Sequence, residues 1–160
     1  MIITPSEISN PNQALKTQGG FLISQIKNLS GRVWEKLLKA SEVDIFNGPQ
    51  GRILYVLWEH GPMPITHIGR LTSLAKTTLT SMLDRMEANG LIQRIPDTKN
   101  RRQIFIKVTP KALAYKEKYD QLSAQMNAIY YQHIPPAQIT QFESILEQII
   151  INLENEENKS

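Results

Sequence analysis

On a helical wheel for residues 75–89, Thr77, Ser81, Asp84, Arg85 and Ala88 share one side, with Thr78 and Thr80 at its edges. A face of small hydroxyls around one guanidinium suits close approach to double-stranded DNA. Hydroxyls bond phosphates or base edges, threonine methyls meet thymine methyls, and arginine takes guanine through two donors. Lys76 opens this helix beside backbone N–H groups that lack helical partners, a setting suited to a phosphate. Downstream, residues 96–102 read PDTKNRR, where Pro96, Asp97 and Asn100 supply turn chemistry and Lys99, Arg101 and Arg102 supply charge. Such a tip can press an arginine into a narrow minor groove. Asp97 is expected to support the loop, either by pairing with Arg102 or by bonding to nearby backbone.

These residues need a frame, and the surrounding pattern supplies one. Pro64 opens a short helix over residues 65–71, Ser73 is the expected N-cap of the next helix, and Asn89-Gly90 closes it. The opposite stripe of that helix, Leu79, Met82, Leu83 and Met86, is expected in the core. Two strands follow, over residues 91–95 and 103–108. The second alternates Ile104, Ile106 and Val108 against Phe105 and Lys107. Helix, turn, helix and hairpin in this order put one helix in the major groove with a β-wing beside it. Charge agrees with shape. Residues 66–111 hold nine cations against three anions, a charge of +6, whereas the remainder is −3 and the whole chain only +3.

Upstream, apolar residues recur at helical spacing over residues 21–40, and Pro49 begins a helix over residues 50–60. Downstream, Thr109-Pro110 starts a long helix to about residue 133, and Pro135-Pro136 starts a last one to about residue 155. In that last helix Ile139, Phe142, Leu146, Ile149 and Leu153 follow 3-4-3-4 spacing, widened by Ile145, Ile150 and Ile151. Strict spacing of this kind packs lengthwise against partner helices. One reading is an intrachain core. The other, which the surplus of apolar surface favours, is a homodimer interface that also uses Phe21. Residues 1–18 and 156–160 are expected to be flexible ends.

Other function classes lack residues. The chain has no cysteine, so disulfides, zinc-cysteine sites and thiol redox sensing are excluded. His60, His67 and His133 are scattered without carboxylates at ligand spacing, so no metal and no cofactor are expected. No G-x-S-x-G, Walker A or G-x-G-x-x-G occurs, and catalysis is not expected. The tyrosines Tyr115, Tyr119, Tyr130 and Tyr131 read first as packing residues. The first residues lack the basic start and apolar stretch of a signal peptide, and no apolar run approaches the roughly 20 residues that span a bilayer. A cytoplasmic protein without a membrane partner is the expectation.

Taken together, residues 74–112, LAKTTLTSMLDRMEANGLIQRIPDTKNRRQIFIKVTPKA, resemble the multiple antibiotic resistance regulator (MarR) family of winged-helix transcription factors. The matching parts are Lys76-Thr77-Thr78, Leu83-Asp84-Arg85-Met86-Glu87, Gly90-Leu91-Ile92, Asp97 with Arg101-Arg102, and Val108-Thr109-Pro110-Lys111. The helix order matches over most of the chain. The resemblance implies a dimer built from the first and last two helices, straddling a pseudo-palindromic operator. It also implies a DNA grip altered by a small, often phenolic or aromatic, effector in a cleft between lobes. Carried over, Lys76, Thr77, Thr78, Thr80, Ser81 and Arg85 become recognition-helix contacts, and Arg101 and Arg102 wing contacts. Ser81 stands where an arginine is frequent, which leaves the base preference open. Asn100 replaces a usual second wing aspartate, which is expected to loosen the wing. Nothing matches a zinc-binding branch, and the peroxide-sensing thiol branch is excluded.

The expectation is therefore a mainly α chain with a small β-wing (α+β). Residues 49–111 would form a winged helix-turn-helix lobe, and residues 19–48 and 112–155 a helical dimerisation lobe. Its function would be regulation of transcription, as a repressor more than an activator. A winged-helix protein-interaction module and a small-molecule sensor remain open as alternatives.

Overall fold

The computed structural model describes residues 16–43 and 47–159. Most of the arm expected over residues 1–18, and Ser160, lie outside the described residues. Helix α1 spans Gly19–Ala40 and α2 Gly48–His60. They are followed by strand β1 (Met63–Pro64), α3 (Ile65–Thr72), α4 (Lys76–Ala88), β2 (Ile92–Pro96) and β3 (Ile104–Val108). Three helices end the chain: α5 (Pro110–Leu113), α6 (Lys116–Tyr130) and α7 (Pro136–Glu157). The fold is mainly helical with one small antiparallel sheet, ordered β1-β3-β2.

Local chemistry sets most boundaries. Asn47 accepts the Gln50 N–H at 3.1 Å, and Pro49 sits in the first turn of α2, where its missing donor costs nothing. At the end of α4, Gly90 takes a left-handed φ of +75°. Its N–H reaches the Glu87 carbonyl and that of Leu91 reaches Met86, a Schellman closure. That turn swings the chain straight into β2, which pairs with β3 from Ile92↔Val108 to Pro96↔Ile104.

Four sequence expectations change. Ser73 is not the N-cap of the second helix: it has φ +55° and ends α3, while Ala75 occupies the cap position and offers no side-chain oxygen. The sheet has a third strand, with Met63 opposite Ile106. Two residues are too few to show alternation, so the strand exists because β3 offers it a free edge. The long helix expected from residue 109 is broken after Leu113, because Ala112 is fully buried in the winged lobe while Tyr119 and Leu122 bury further along. The last helix runs past residue 155 to Glu157.

The core lies between α2, α3, α4 and the sheet. Ile53, Leu54, Ile68, Leu79, Leu83, Met86, Leu91, Ile92 and Ile106 are essentially inaccessible. Burial of each such side chain stabilises by roughly 1.5–3 kcal/mol. Tyr119 of α6 joins this lobe to α1, with ring centroids 5.5 Å from Trp34 and 5.2 Å from Trp58. By contrast, α7 buries none of its residues within the chain.

Candidate nucleic-acid interface

Leu79, Met82, Leu83 and Met86 anchor α4 in the core, so the opposite face must look outward. Lys76, Thr77, Thr78, Thr80, Ser81, Asp84 and Arg85 are all exposed. Arg85 Nη2 donates to Ser81 Oγ at 3.3 Å, one turn back, which aligns the guanidinium along the hydroxyl face. Because Ala75 cannot cap the helix, α4 starts without a side-chain cap among the described residues. That end carries partial positive charge, with Lys76 beside it.

The wing tip is built by two local side-chain bonds. Asp97 Oδ1 accepts the Lys99 N–H at 3.0 Å, and Asn100 Oδ1 accepts the Arg102 N–H at 3.1 Å. The Asp97 N–H meets the Gln103 carbonyl at 3.0 Å, and Gln103 N–H meets that of Asn100. Of the two expectations for Asp97, backbone bonding is the one realised. Asn100 supplies the acceptor of this turn through its amide oxygen, without a second negative charge. Lys99, Arg101 and Arg102 are exposed on this frame.

Arg94 is one of the nine cations summed over residues 66–111, but it does not stand alone. Its Nη2 lies 2.7 Å from Asp84 Oδ1 and its Nη1 2.9 Å from Glu87 Oε1, while its backbone N–H reaches Glu87 Oε2 at 3.3 Å. Two of the module's three anions are thus paired with one residue of the wing, whose single positive charge they share. The signal was present as Asp84 and Glu87 one turn apart on α4, but only the fold brings β2 alongside them. Thr109 starts the next helix as expected, its hydroxyl accepting the Ala112 N–H at 3.2 Å, but its bond to the Gly90 carbonyl at 2.6 Å was not foreseen.

The residues expected at a dimer interface fall on two helices. Phe21 on α1 is 71% exposed; on α7, Leu153 is 64% exposed, Ile149 is exposed, and Ile139, Phe142 and Leu146 are half-buried. Between α1, the start of α2 and α6 lies a cleft of about 660 Å³, whose walls include Trp34, Tyr119 and Tyr130 beside Lys27 and Arg52. The Trp34 indole N–H is buried without a hydrogen-bond acceptor among the described residues. Glu143 contributes to the wall from α7 and accepts the Tyr131 hydroxyl at 2.8 Å. Among the described residues, no group of three or more His, Asp or Glu side chains could hold a metal, and no helix is long and apolar enough to cross a membrane.

Residues 46–104 match the sequence model of the MarR family. The chain is 34% identical over 108 residues to the HTH-type transcriptional regulator TtmR of Methylorubrum extorquens, a match over 68% of this chain and 54% of that protein. It is 26% identical over 120 residues to the HTH-type transcriptional repressor IacR of Pseudomonas putida, over 75% of this chain and 70% of the other. It thus spans between about half and about two thirds of the lengths of these relatives. In fold it is similar to a MarR mutant from E. coli in complex with operator DNA, with a TM-score of 0.72 at 22% identity, over 81% of this chain and 91% of the other. Members of this family are transcription factors rather than enzymes. The sequence match over residues 46–104 makes the winged helix-turn-helix of this chain that of the MarR family, and the fold is similar to that of a solved MarR protein beyond it.

Proposed function

We propose that the chain is a homodimeric, sequence-specific repressor that grips a pseudo-palindromic operator through α4 and the wing. The observation that carries the reading is the exposed hydroxyl face of α4, with no side-chain cap at its N-terminus, joined through Arg94 to a wing whose tip exposes Lys99, Arg101 and Arg102. In this reading Thr77, Thr78, Thr80, Ser81 and Arg85 meet base edges and phosphates, Lys76 meets a phosphate, and an arginine of the wing enters the minor groove. Residues 49–111 act as the DNA-binding lobe, and residues 19–48 and 112–155 as the dimerisation lobe. A 22-residue helix, α7, with an apolar stripe and nothing buried argues for a second copy of the chain over Phe21, Ile139, Phe142, Leu146, Ile149 and Leu153. Two copies would place their α4 helices in successive major grooves, about 10 bp apart.

The cleft beside Trp34 supports an effector of the small aromatic class, flat enough for the tyrosine walls and anionic enough for Lys27 and Arg52. Its position against α1, α2 and α6 gives it contact with both lobes, so occupancy can change the spacing of the DNA-binding surfaces. The deciding experiment is binding to tiled duplexes from the protein's own promoter region, at about 150 mM salt with random duplex as competitor. One tile bound at nanomolar affinity, and released by a small aromatic acid, is the expected result. Equal weak binding to every tile overturns the operator reading and favours a protein-interaction module instead.

A further inference from the structure

We propose that Arg94 is a positioning residue that fixes the angle between the recognition helix and the wing, and so the register between major-groove and minor-groove contacts. The inference rests on the DNA-binding reading above. Arg94 sits in the middle of β2, opposite the fully buried Ile106, so its backbone is rooted in the sheet. From there its guanidinium spans two carboxylates one turn apart on α4, Asp84 and Glu87, and its own N–H closes a third bond to Glu87. Three bonds from one residue to two points on a helix restrain rotation as well as distance, which a single ion pair does not. The guanidinium is only 22% exposed, whereas Asp84 is 65% exposed on the same face as Ser81 and Arg85.

That placement has an electrostatic oddity. Asp84 stands among residues that would face phosphates, where a carboxylate repels the ligand. If nucleic-acid affinity depended on charge alone, removing both carboxylates would strengthen binding, since the module would gain two positive charges. Positioning demands the opposite sign. Without the carboxylates the wing loses the three bonds that tie Arg94 to α4, and its tip can swing away from the groove flanking the base contacts.

The test uses the full-length protein, wild type and Asp84→Asn/Glu87→Gln, on the tile that wild type selects. Both replaced side chains are exposed, so folding is expected to persist, and a Glu87→Gln single variant provides a milder version of the same perturbation. Guanine N7 methylation reports the major groove, and hydroxyl-radical cleavage reports the flanking minor groove. The double variant is expected to keep the guanine protection, lose the flanking protection, and bind about tenfold more weakly despite its more positive charge. Its salt slope should fall by roughly 2 as Arg101 and Arg102 leave their phosphates. Binding equal to or tighter than wild type, with both footprints intact, overturns the positioning role while leaving the DNA reading standing. Absence of any wild-type footprint overturns the DNA reading and this inference with it.

Discussion

The Thr109 hydroxyl donates to the Gly90 carbonyl at 2.6 Å across a separation of 19 residues, tying the end of β3 to the turn that closes the recognition helix. The same oxygen caps α5 through the Ala112 N–H, and Lys111 Nζ reaches the Asn89 carbonyl at 2.9 Å. The Val-Thr-Pro-Lys element is thus a clasp at the base of the wing. Thr109→Val keeps the shape and removes both bonds, from the half-buried Gly90 carbonyl and from the buried Ala112 N–H. It should destabilise by about 1–3 kcal/mol, read as a lower urea midpoint at unchanged slope. A midpoint equal to wild type would show that the clasp adds nothing.

Arg85 lies along the hydroxyl face with Ser81 as its neighbour. Arg85→Ala should cost about 1–3 kcal/mol against the operator while leaving affinity for random duplex nearly unchanged. A competition titration reads both. Equal losses on the two duplexes would assign Arg85 to a phosphate rather than to a base.

Ile149 and Leu153 lie one turn apart on the exposed stripe of α7. If the stripe holds two copies together as proposed, Ile149→Asp should shift sedimentation at micromolar protein from dimer to monomer and reduce operator affinity in step, because each half-site is then bound alone. A variant that sediments as wild type does would return the stripe to an intrachain role.

Tyr131 donates to Glu143 at 2.8 Å, joining the end of α6 to α7. Burial first, then the bond and negative charge of Glu143, push its phenol up to about 12. The folded chain holds this proton more tightly than the unfolded chain. The stabilisation is therefore fully present below the ordinary tyrosine value of about 10 and is lost as pH rises through about 12. In Glu143→Gln the phenolate absorbance of Tyr131 should emerge at lower pH. Superimposable ultraviolet titrations of the two proteins would contradict the assignment.

The sequence by itself determined the order of the longer helices and of the two wing strands, and the buried face of α4. Apolar period, proline starts and the Asn89-Gly90 stop are local signals, and local signals survive without a partner strand or helix. Thus the burial of Leu79, Met82, Leu83 and Met86, with Thr77, Ser81 and Arg85 left outside, was legible before any coordinates. The basic wing tip was legible for the same reason, since Asp97 and Asn100 act on backbone within a few residues.

What only the tertiary structure decided depends on groups distant in sequence. Strand β1 exists because β3 accepts it, not because Met63-Pro64 favours a strand. Ser73 ends one helix rather than starting the next because the turn between α3 and α4 requires a left-handed residue there. Arg94 counts as a clamp rather than a free cation because the Gly90 turn lays β2 beside Asp84 and Glu87. Charge read along a chain is a sum. In the fold it becomes a set of pairs, and pairing over 2.7–2.9 Å is fixed by geometry that no local pattern encodes.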